Sequence, residues 1–359
     1  MPQTHADRRE RLRDLVRTVG AEAALVTRLV NVRYLTGFTG SNAALLVTDR
    51  DDVLATDGRY VTQAGQESPG LELLVDRECA TGLMARAGRE GLRRLAFEAH
   101  DVTVEGHAAL RDVDGAPELV PLGHAVETLR TVKDESELAL LREACAIGDL
   151  ALRETLGRTA PGQTEREVAR RLEAAMVELG ADGIAFATIV ATGPNSAIPH
   201  HSPTDREIVR GDLLKIDFGA KYGGYHADCT RTLVVGREPA DWQREIYDVV
   251  RRAQRAGRHA LAVDADVRDV DGAARAVVVA AGYGEQFTHG LGHGVGLEIH
   301  EAPLLGAQAN GRLAARTPVT VEPGVYLPGR GGVRIEDTLV VGEDAPELLT
   351  TTSKDLLVL

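Results

Sequence analysis

The chain has 359 residues, a formal net charge of −13, 43% hydrophobic residues and 26% charged residues. Those figures suit a soluble protein of two domains at roughly 100–200 residues each, and so acidic a chain is a poor partner for nucleic acid. No apolar run approaches the roughly 20 residues that cross a bilayer. Met1–Leu15 is charged and lacks the apolar stretch of a secretion signal, so a cytoplasmic location without membrane association is expected. Cys79, Cys145 and Cys229 are scattered, with no CxxC spacing, and offer neither a disulfide framework nor a thiolate metal site.

In chain order, residues 5–19 predict a helix with Leu12, Leu15 and Val16 on one face, ended by Gly20. A strand is expected over Ala23–Val26. The stretch Asn31–Asn42 follows; its Gly37 and Gly40 lack the Walker lysine and the dinucleotide spacing, which leaves a turn between strands as their role. Strands near 43–48, 53–56, 71–75 and 95–98, with helices near 78–90 and 103–113, complete a small α/β domain over residues 1–130.

Leu129–Glu135 marks the boundary to a second domain, 131–359, which begins with an amphipathic helix over 134–156 carrying Leu138, Leu141, Ala144 and Cys145 at helical spacing. Pro161–Gly162 breaks it, and Thr164 with Glu167 forms a capping box for a helix that runs to Gly180. A strand over 186–191, a loop over 193–201 and two further helices near 239–258 and 266–281 are expected.

Between these lies LLKIDFGAKYGGYHADCTRTL, residues 213–233, two apolar strands joined by Gly223–Gly224. Each strand carries one aspartate, Asp217 and Asp228, inside an apolar run. A buried carboxylate is costly unless it is paired, hydrogen-bonded or bound to a metal, and two that face each other call for a cation. The neighbouring Cys229 points to the opposite face and reads as a buried structural thiol. Downstream stand His293 in a glycine-rich segment, Glu322 before Pro323–Gly324, and Glu336 after Arg334–Ile335. Two aspartates, one histidine and two glutamates make a hard, oxygen-rich donor set suited to Mn, Co, Fe or Zn. Four carboxylates balance two divalent ions. The glycines at 290, 292, 294 and 296 let the backbone pass close to such a cluster.

The order and context of these five residues resemble the metal-binding set of the pita-bread metallopeptidases: methionine aminopeptidase, aminopeptidase P and prolidase. The stretches Tyr34–Asn42 and Ala55–Tyr60 resemble the N-terminal domain of aminopeptidase P and prolidase, which methionine aminopeptidase generally lacks. The resemblance implies a small creatinase-like α/β domain followed by a pita-bread domain of two pseudo-symmetric α/β halves, and a homodimer.

It also implies two divalent metal ions, manganese first, with cobalt, zinc or iron as alternatives. Asp217 would bind one ion, Asp228 and Glu336 would bridge both, and His293 and Glu322 would hold the second. Water activated between them would attack a peptide carbonyl, with Glu322 as its proton acceptor. His200 and His300 stand where the family has proton-transfer or oxyanion-stabilising histidines, and His289 where it contacts substrate. Arg334 and Tyr326 are expected beside them, the arginine orienting a metal carboxylate or meeting a substrate carboxylate. His107, His201 and His226 read as structural.

One departure bears on substrate. Many prolidases carry an arginine shortly after the His–Glu motif, gripping the free carboxylate of a dipeptide; here His300–Glu301–Ala302–Pro303 continues as Leu304–Leu305–Gly306. A clamp would then have to come from Arg330, Arg334 or a partner subunit. The expectation is therefore an aminopeptidase that cleaves before proline in the second position of a peptide. The alternatives are a strict Xaa–Pro dipeptidase, a metal-free creatinase and a non-enzymatic binding module; the last two are disfavoured because all five ligands are present.

Overall fold

Six short strands open the first of two units into which the chain divides, residues up to Arg130 and residues from Thr131, in a computed structural model that describes residues 2–359. Met1, where the segment expected to lack a secretion signal begins, lies outside the described residues. The strands are β1 (Ala23–Val26), β2 (Ala43–Thr48), β3 (Asp52–Thr56), β4 (Glu72–Val75), β5 (Arg94–Phe97) and β6 (Glu118–Pro121), in the order β4-β3-β2-β1-β5-β6. β1 runs antiparallel to β2 and parallel to β5. Every residue of β1 and β2 is buried, the pattern of central strands covered on both faces, which is why the sequence shows continuous apolar runs there rather than alternation. Helices α1 (Pro2–Thr18), α2 (Leu29–Thr36), α3 (Val61–Glu67), α4 (Cys79–Arg89), α5 (Val104–Arg111) and α6 (Ala125–Thr131) supply the cover.

One expectation in this unit needs correction. The residues before Gly37 form helix α2, and Gly37, at φ +84°, is its left-handed C-terminal cap instead of a turn between two strands. A glycine one residue past a helix is a stop signal. That signal competes with the turn reading whenever the helix is as short as eight residues.

The second unit has two similar halves. Helices α7 (Glu135–Leu156) and α8 (Glu165–Glu178) pack on an antiparallel sheet of β8 (Ile189–Thr192), β9 (Leu213–Phe218) and β12 (Cys229–Val234); β7 (Gly183–Ile184), β10 (Ala220–Tyr222) and β11 (Tyr225–His226) form a smaller sheet beside it. The expected capping box of Thr164 and Glu167 is present, and Asp134 with Glu137 makes another at the start of α7. Helices α9 (Asp241–Ala260) and α10 (Val267–Ala280) pack on a second sheet. Its strands are β13 (Gly292–Gly294), β14 (Glu301–Leu305), β15 (Pro318–Val321), β18 (Asp337–Val340) and β19 (Glu347–Leu348), with β16 (Gly324–Leu327) and β17 (Gly331–Arg334) paired as a separate ribbon. A helix pair on an antiparallel sheet, repeated, is the pita-bread arrangement. Among the described residues no helix is long and apolar enough to cross a membrane.

Candidate metal centre

The long hairpin pairs β9 with β12 in a register that sets Thr230 opposite Asp217. Its tip turns at Gly223 and Gly224, both with positive φ, as a tight two-residue connection requires. Counting back from that register places Asp228 opposite Gly219. Side chains two apart share a face, so Asp217 and Asp228 lie on the same face. Asp228 is 4% and Asp217 8% exposed. Cys229 points the other way into the core of the first half, as expected.

From the second half, β13 carries His293, the end of β15 delivers Glu322, and Glu336 lies between β17 and β18. One donor atom each from Asp228, His293 and Glu336 lies within 4.8 Å of the others. His293 Nε2 is 3.5 Å from Asp228 Oδ2 and 3.4 Å from Glu322 Oε1. The glycines flanking His293 have a more specific reason than closeness to a metal. A Cβ on Gly292 would sit 2.0 Å from the Thr320 carbonyl oxygen, and one on Gly294 would sit 2.3 Å from that of Ala302. Only glycine lets β13 fit between its two neighbouring strands at that separation.

The electrostatics of this cluster are those of a site short of positive charge. Burial, reinforced by the neighbouring carboxylates, pushes Asp228 and Glu336 well above the usual carboxylate range, and burial pushes Glu322 up to about 7. His293 Nδ1 is 3.0 Å from the Gly294 carbonyl oxygen, which can only accept, so Nδ1 carries the proton. Burial holds this imidazole down at about 4. It is neutral at pH 7 and aims the Nε2 lone pair at carboxylate oxygens. Lone pairs facing anions are tolerated when a cation lies between them. Asp217 Oδ1 is buried with no hydrogen-bond partner among the described residues, a further acceptor awaiting a cation. The residues therefore fit divalent metal ions, with imidazole and carboxylate donors of the type such ions take.

A cavity of about 310 Å³ opens on this cluster, lined by Phe186, His200, Asp217, His293, His300, Glu322 and others. A second, of about 760 Å³, shares His200, His293, His300, Glu322 and Arg334 and extends past His289 to Leu304–Ala309. The His300 ring stands edge-on to His293 at 4.4 Å, and burial with nearby His200 lowers its pKa. His289 lines the larger cavity and its Nε2 meets the Tyr326 hydroxyl at 2.9 Å; Tyr326 itself lies behind, lining neither cavity. Arg334 is 2% exposed and donates to Asp217, to the Tyr326 hydroxyl at 2.9 Å, to Thr230 Oγ1 at 3.1 Å and to the Pro199 carbonyl at 3.2 Å. Arg330 stacks on Trp242 at 4.4 Å and lines neither cavity. His201, His226 and His107 have local partners: Glu165, the Gly296 carbonyl and the Phe97 ring.

Several residues of the site escape sequence reasoning. Thr230 Oγ1 donates to Glu336 Oε2 at 2.7 Å, and Thr320 Oγ1 reaches Glu322 Oε1 at 3.3 Å. Thr230 stands two residues from Asp228 and Thr320 two from Glu322, so strand alternation is the available signal. Lys215, fully buried two residues before Asp217, donates to the Ile198 and Pro199 carbonyls at 2.6 and 3.2 Å and so tethers the chain leading into His200. A lysine inside an apolar strand is its signal.

Residues 139–343 match the description Metallopeptidase family M24, and residues 8–132 match the Creatinase/Prolidase N-terminal domain. The Xaa-Pro dipeptidase of Pyrococcus furiosus is 33% identical over 97% of this chain and 100% of its own length. The structure of an Xaa-Pro dipeptidase from Bacillus anthracis matches at a TM-score of 0.95 and 38% identity, covering 99% of this chain and 100% of that one. The structure of an X-Pro aminopeptidase from Thermotoga maritima matches at 0.90 and 35%, covering 98% and 99%.

Proposed function

The chain belongs to metallopeptidase family M24, and we propose that it is a dinuclear-metal exopeptidase that removes the residue preceding proline from the N-terminus of peptides. The observation that carries this reading is the buried cluster of Asp217, Asp228, His293, Glu322 and Glu336, whose acceptors outnumber the donors the chain supplies to them. Those five residues would hold two divalent ions, manganese in the first instance, with Asp228 and Glu336 shared between them. Such a pair, when bound, polarises the scissile carbonyl and makes water acidic enough to attack at neutral pH.

The remaining work falls to the chain. Glu322, placed at the cavity wall beside His293, would take a proton from the attacking water and release it again. His300 and His200 line both cavities and supply N–H donors to the oxygen on which charge develops. Arg334 holds Asp217 in place through its guanidinium. His289, its Nε2 fixed by Tyr326, faces substrate in the larger cavity.

The choice of aminopeptidase over strict dipeptidase rests on the arginines. Arg334 is spent on four protein acceptors. Arg275, which lines the larger cavity, is held by the Asp271 carboxylate at 2.8 Å and by the Phe287 and His289 carbonyls. Leu304 stands at the cavity lip, 61% exposed. With its arginines so engaged, that cavity has length for further residues and little to grip a dipeptide's carboxylate. The same reading takes the protein as a homodimer, symmetric dimers being the commonest oligomers. It takes it as cytoplasmic, in keeping with three free, buried cysteines.

The test strips the protein with chelator, reloads it with Mn²⁺, and compares a Xaa–Pro dipeptide, the same dipeptide extended by two residues, and an alanine version of the longer peptide. Metal-dependent cleavage of the longer proline peptide is expected. Cleavage of the dipeptide alone would make it a dipeptidase, and equal cleavage of the alanine peptide would remove proline from the reading.

A further inference from the structure

We propose that His100, His124 and Glu127, in the N-terminal unit, form a further binding site for a divalent transition-metal ion such as Zn²⁺. One donor atom from each residue lies within 4.8 Å of the others. His100 Nε2 is 3.0 Å from Glu127 Oε1, His124 Nδ1 is 4.0 Å from Oε2, and the two rings lie 4.2 Å apart at a tilt of 39°. Two donors each about 2.0–2.1 Å from a tetrahedral zinc stand about 3.4 Å apart. The two histidines approach different oxygens of Glu127, and rotation of the exposed His124 side chain is the movement that would bring its Nδ1 into that range. Two imidazoles and one carboxylate are borderline donors, and they favour zinc, copper, nickel or cobalt over magnesium or calcium.

The surroundings hold these donors in place. Leu122 N donates to the Phe97 carbonyl at 2.8 Å, tying the strand before His124 to the strand before His100. His124 directly precedes α6, its carbonyl accepting from Thr128 N and Thr128 Oγ1. Asp101 N and Val102 N both donate to the Glu98 carbonyl, closing the turn that carries His100. Glu127 Oε1 accepts from Asn31 Nδ2 at 2.8 Å and Arg28 Nη1 at 2.9 Å, and Asn31 is itself buried and bonded to Glu98. Outer bonds of this kind orient a metal carboxylate. They also keep it ionised: burial opposes the charge, but the bonds from Asn31, Arg28 and, in the metal-free chain, His100 Nε2–H hold Glu127 down at about 2. An ion displaces that His100 proton to Nδ1 or to solvent. Arg28 brings positive charge beside Oε1, which lowers affinity for a dication and leaves Oε2 as the oxygen facing His124. With His124 69% exposed at its side chain, the remaining coordination positions are open to water. Such a site exchanges its ion with solvent, and loading it would fasten the start of α6 to the turn after β5.

The site is tested by isothermal titration of the untagged, chelator-stripped chain with Zn²⁺, in the wild type, in His124→Ala and in His100→Gln. The catalytic cluster contributes equally to all three. The wild type is expected to take up one Zn²⁺ per chain more than either variant. His124 is exposed enough for its removal to leave the fold, checked by thermal melting, unchanged. Equal stoichiometry in wild type and His124→Ala overturns the proposal, as does a Zn-soaked crystal without an anomalous peak between the two histidines.

Discussion

Glu336 and Asp337 are neighbours in the chain, both carboxylates, both almost fully buried at 1% and 0% exposure, and they face opposite environments. Asp337 is surrounded by donors: Arg231 Nη2 at 2.8 Å, Gln254 Nε2 at 2.7 Å, Lys354 Nζ at 2.8 Å and Thr350 Oγ1 at 3.1 Å. The Glu336 side chain receives one hydroxyl, from Thr230, and is otherwise surrounded by the His293 imidazole and the carboxylates of Asp217, Asp228 and Glu322, with Arg334 the opposing charge. Burial costs both residues their hydration, and only one is repaid by the chain. Asp337 is a structural knot that ties β18, α9 and the C-terminal segment. Glu336 is left with capacity that a bound cation can fill. The distinction lies in the donor supply on each side of the strand, since the residue type and depth are nearly the same.

Two substitutions sharpen that contrast. Glu336→Gln is expected to have the larger effect. Metal binding and peptide hydrolysis fall together, activity by more than the about 10²–10³-fold that loss of a single oxyanion donor costs, while the melting temperature of the metal-free protein stays or rises because a repelling carboxylate is gone. Metal content by atomic absorption, set beside turnover, checks it; full metal content with lost activity would detach Glu336 from the centre. Asp337→Asn should do the reverse. Removing the charge opposite buried Arg231 costs about 3–5 kcal/mol of stability, read from denaturant unfolding, while saturating Mn²⁺ still loads the protein to the wild-type stoichiometry. A metal-free Asp337→Asn chain of normal stability would mean that the two carboxylates share one network.

The sequence makes one side of this contrast visible and hides the other. Asp217, Asp228, His293, Glu322 and Glu336 stand out because each interrupts an apolar or glycine-rich run that has no other use for a charge. The hairpin register that unites Asp217 with Asp228 follows from alternation and a Gly–Gly turn. The knot around Asp337 is assembled from Arg231, Gln254 and Lys354, 106, 83 and 17 residues away in sequence, and no local pattern announces it. The Glu165 hub escapes in the same way. It accepts from Thr192, Asn195, His201 and Thr204, yet in sequence Glu165 is only the first residue of a capped helix. Helix α2 is hidden for a different reason: eight residues are too few for periodicity to separate a helix from an extended loop. Periodic signals and isolated charges are local, whereas donor supply is set by the tertiary fold.

The smallest expected effect tests the donor deficit itself, without metal. Glu322 has its carboxyl raised from 4.5 to about 7, with burial the first cause and the field of Asp217 adding to it, against the opposing pull of Arg334. For an acid whose folded pKa lies above its unfolded one, the folded state binds the proton more tightly. Below about 4.5 both states are protonated and the group contributes nothing. Between about 4.5 and 7 the unfolded chain ionises freely while the folded one resists, so stability falls as pH rises, levelling off above the folded value. Removing that group as Glu322→Gln should therefore leave chelator-treated protein as stable as the wild type at pH 4.5 and more stable at pH 8. The difference is at most about 3 kcal/mol, since a gap of one pH unit between folded and unfolded pKa is worth about 1.36 kcal/mol. Taking the difference between the two proteins at each pH cancels the titrating groups that do not face Glu322, such as buried His289, whose lowered pKa pushes stability the opposite way over part of the same range. Asp228 and Glu336, which the Glu322 charge raises, shift with it and in the same direction as its loss. With Mn²⁺ present the order should reverse at pH 8, because the wild type gains the binding free energy of an ion that the glutamine variant holds less well. A Glu322→Gln curve parallel to the wild type across pH 4.5–8 in chelator would show that Glu322 is satisfied by the chain as Asp337 is, and that the two sides of the strand do not differ in the way their donors indicate.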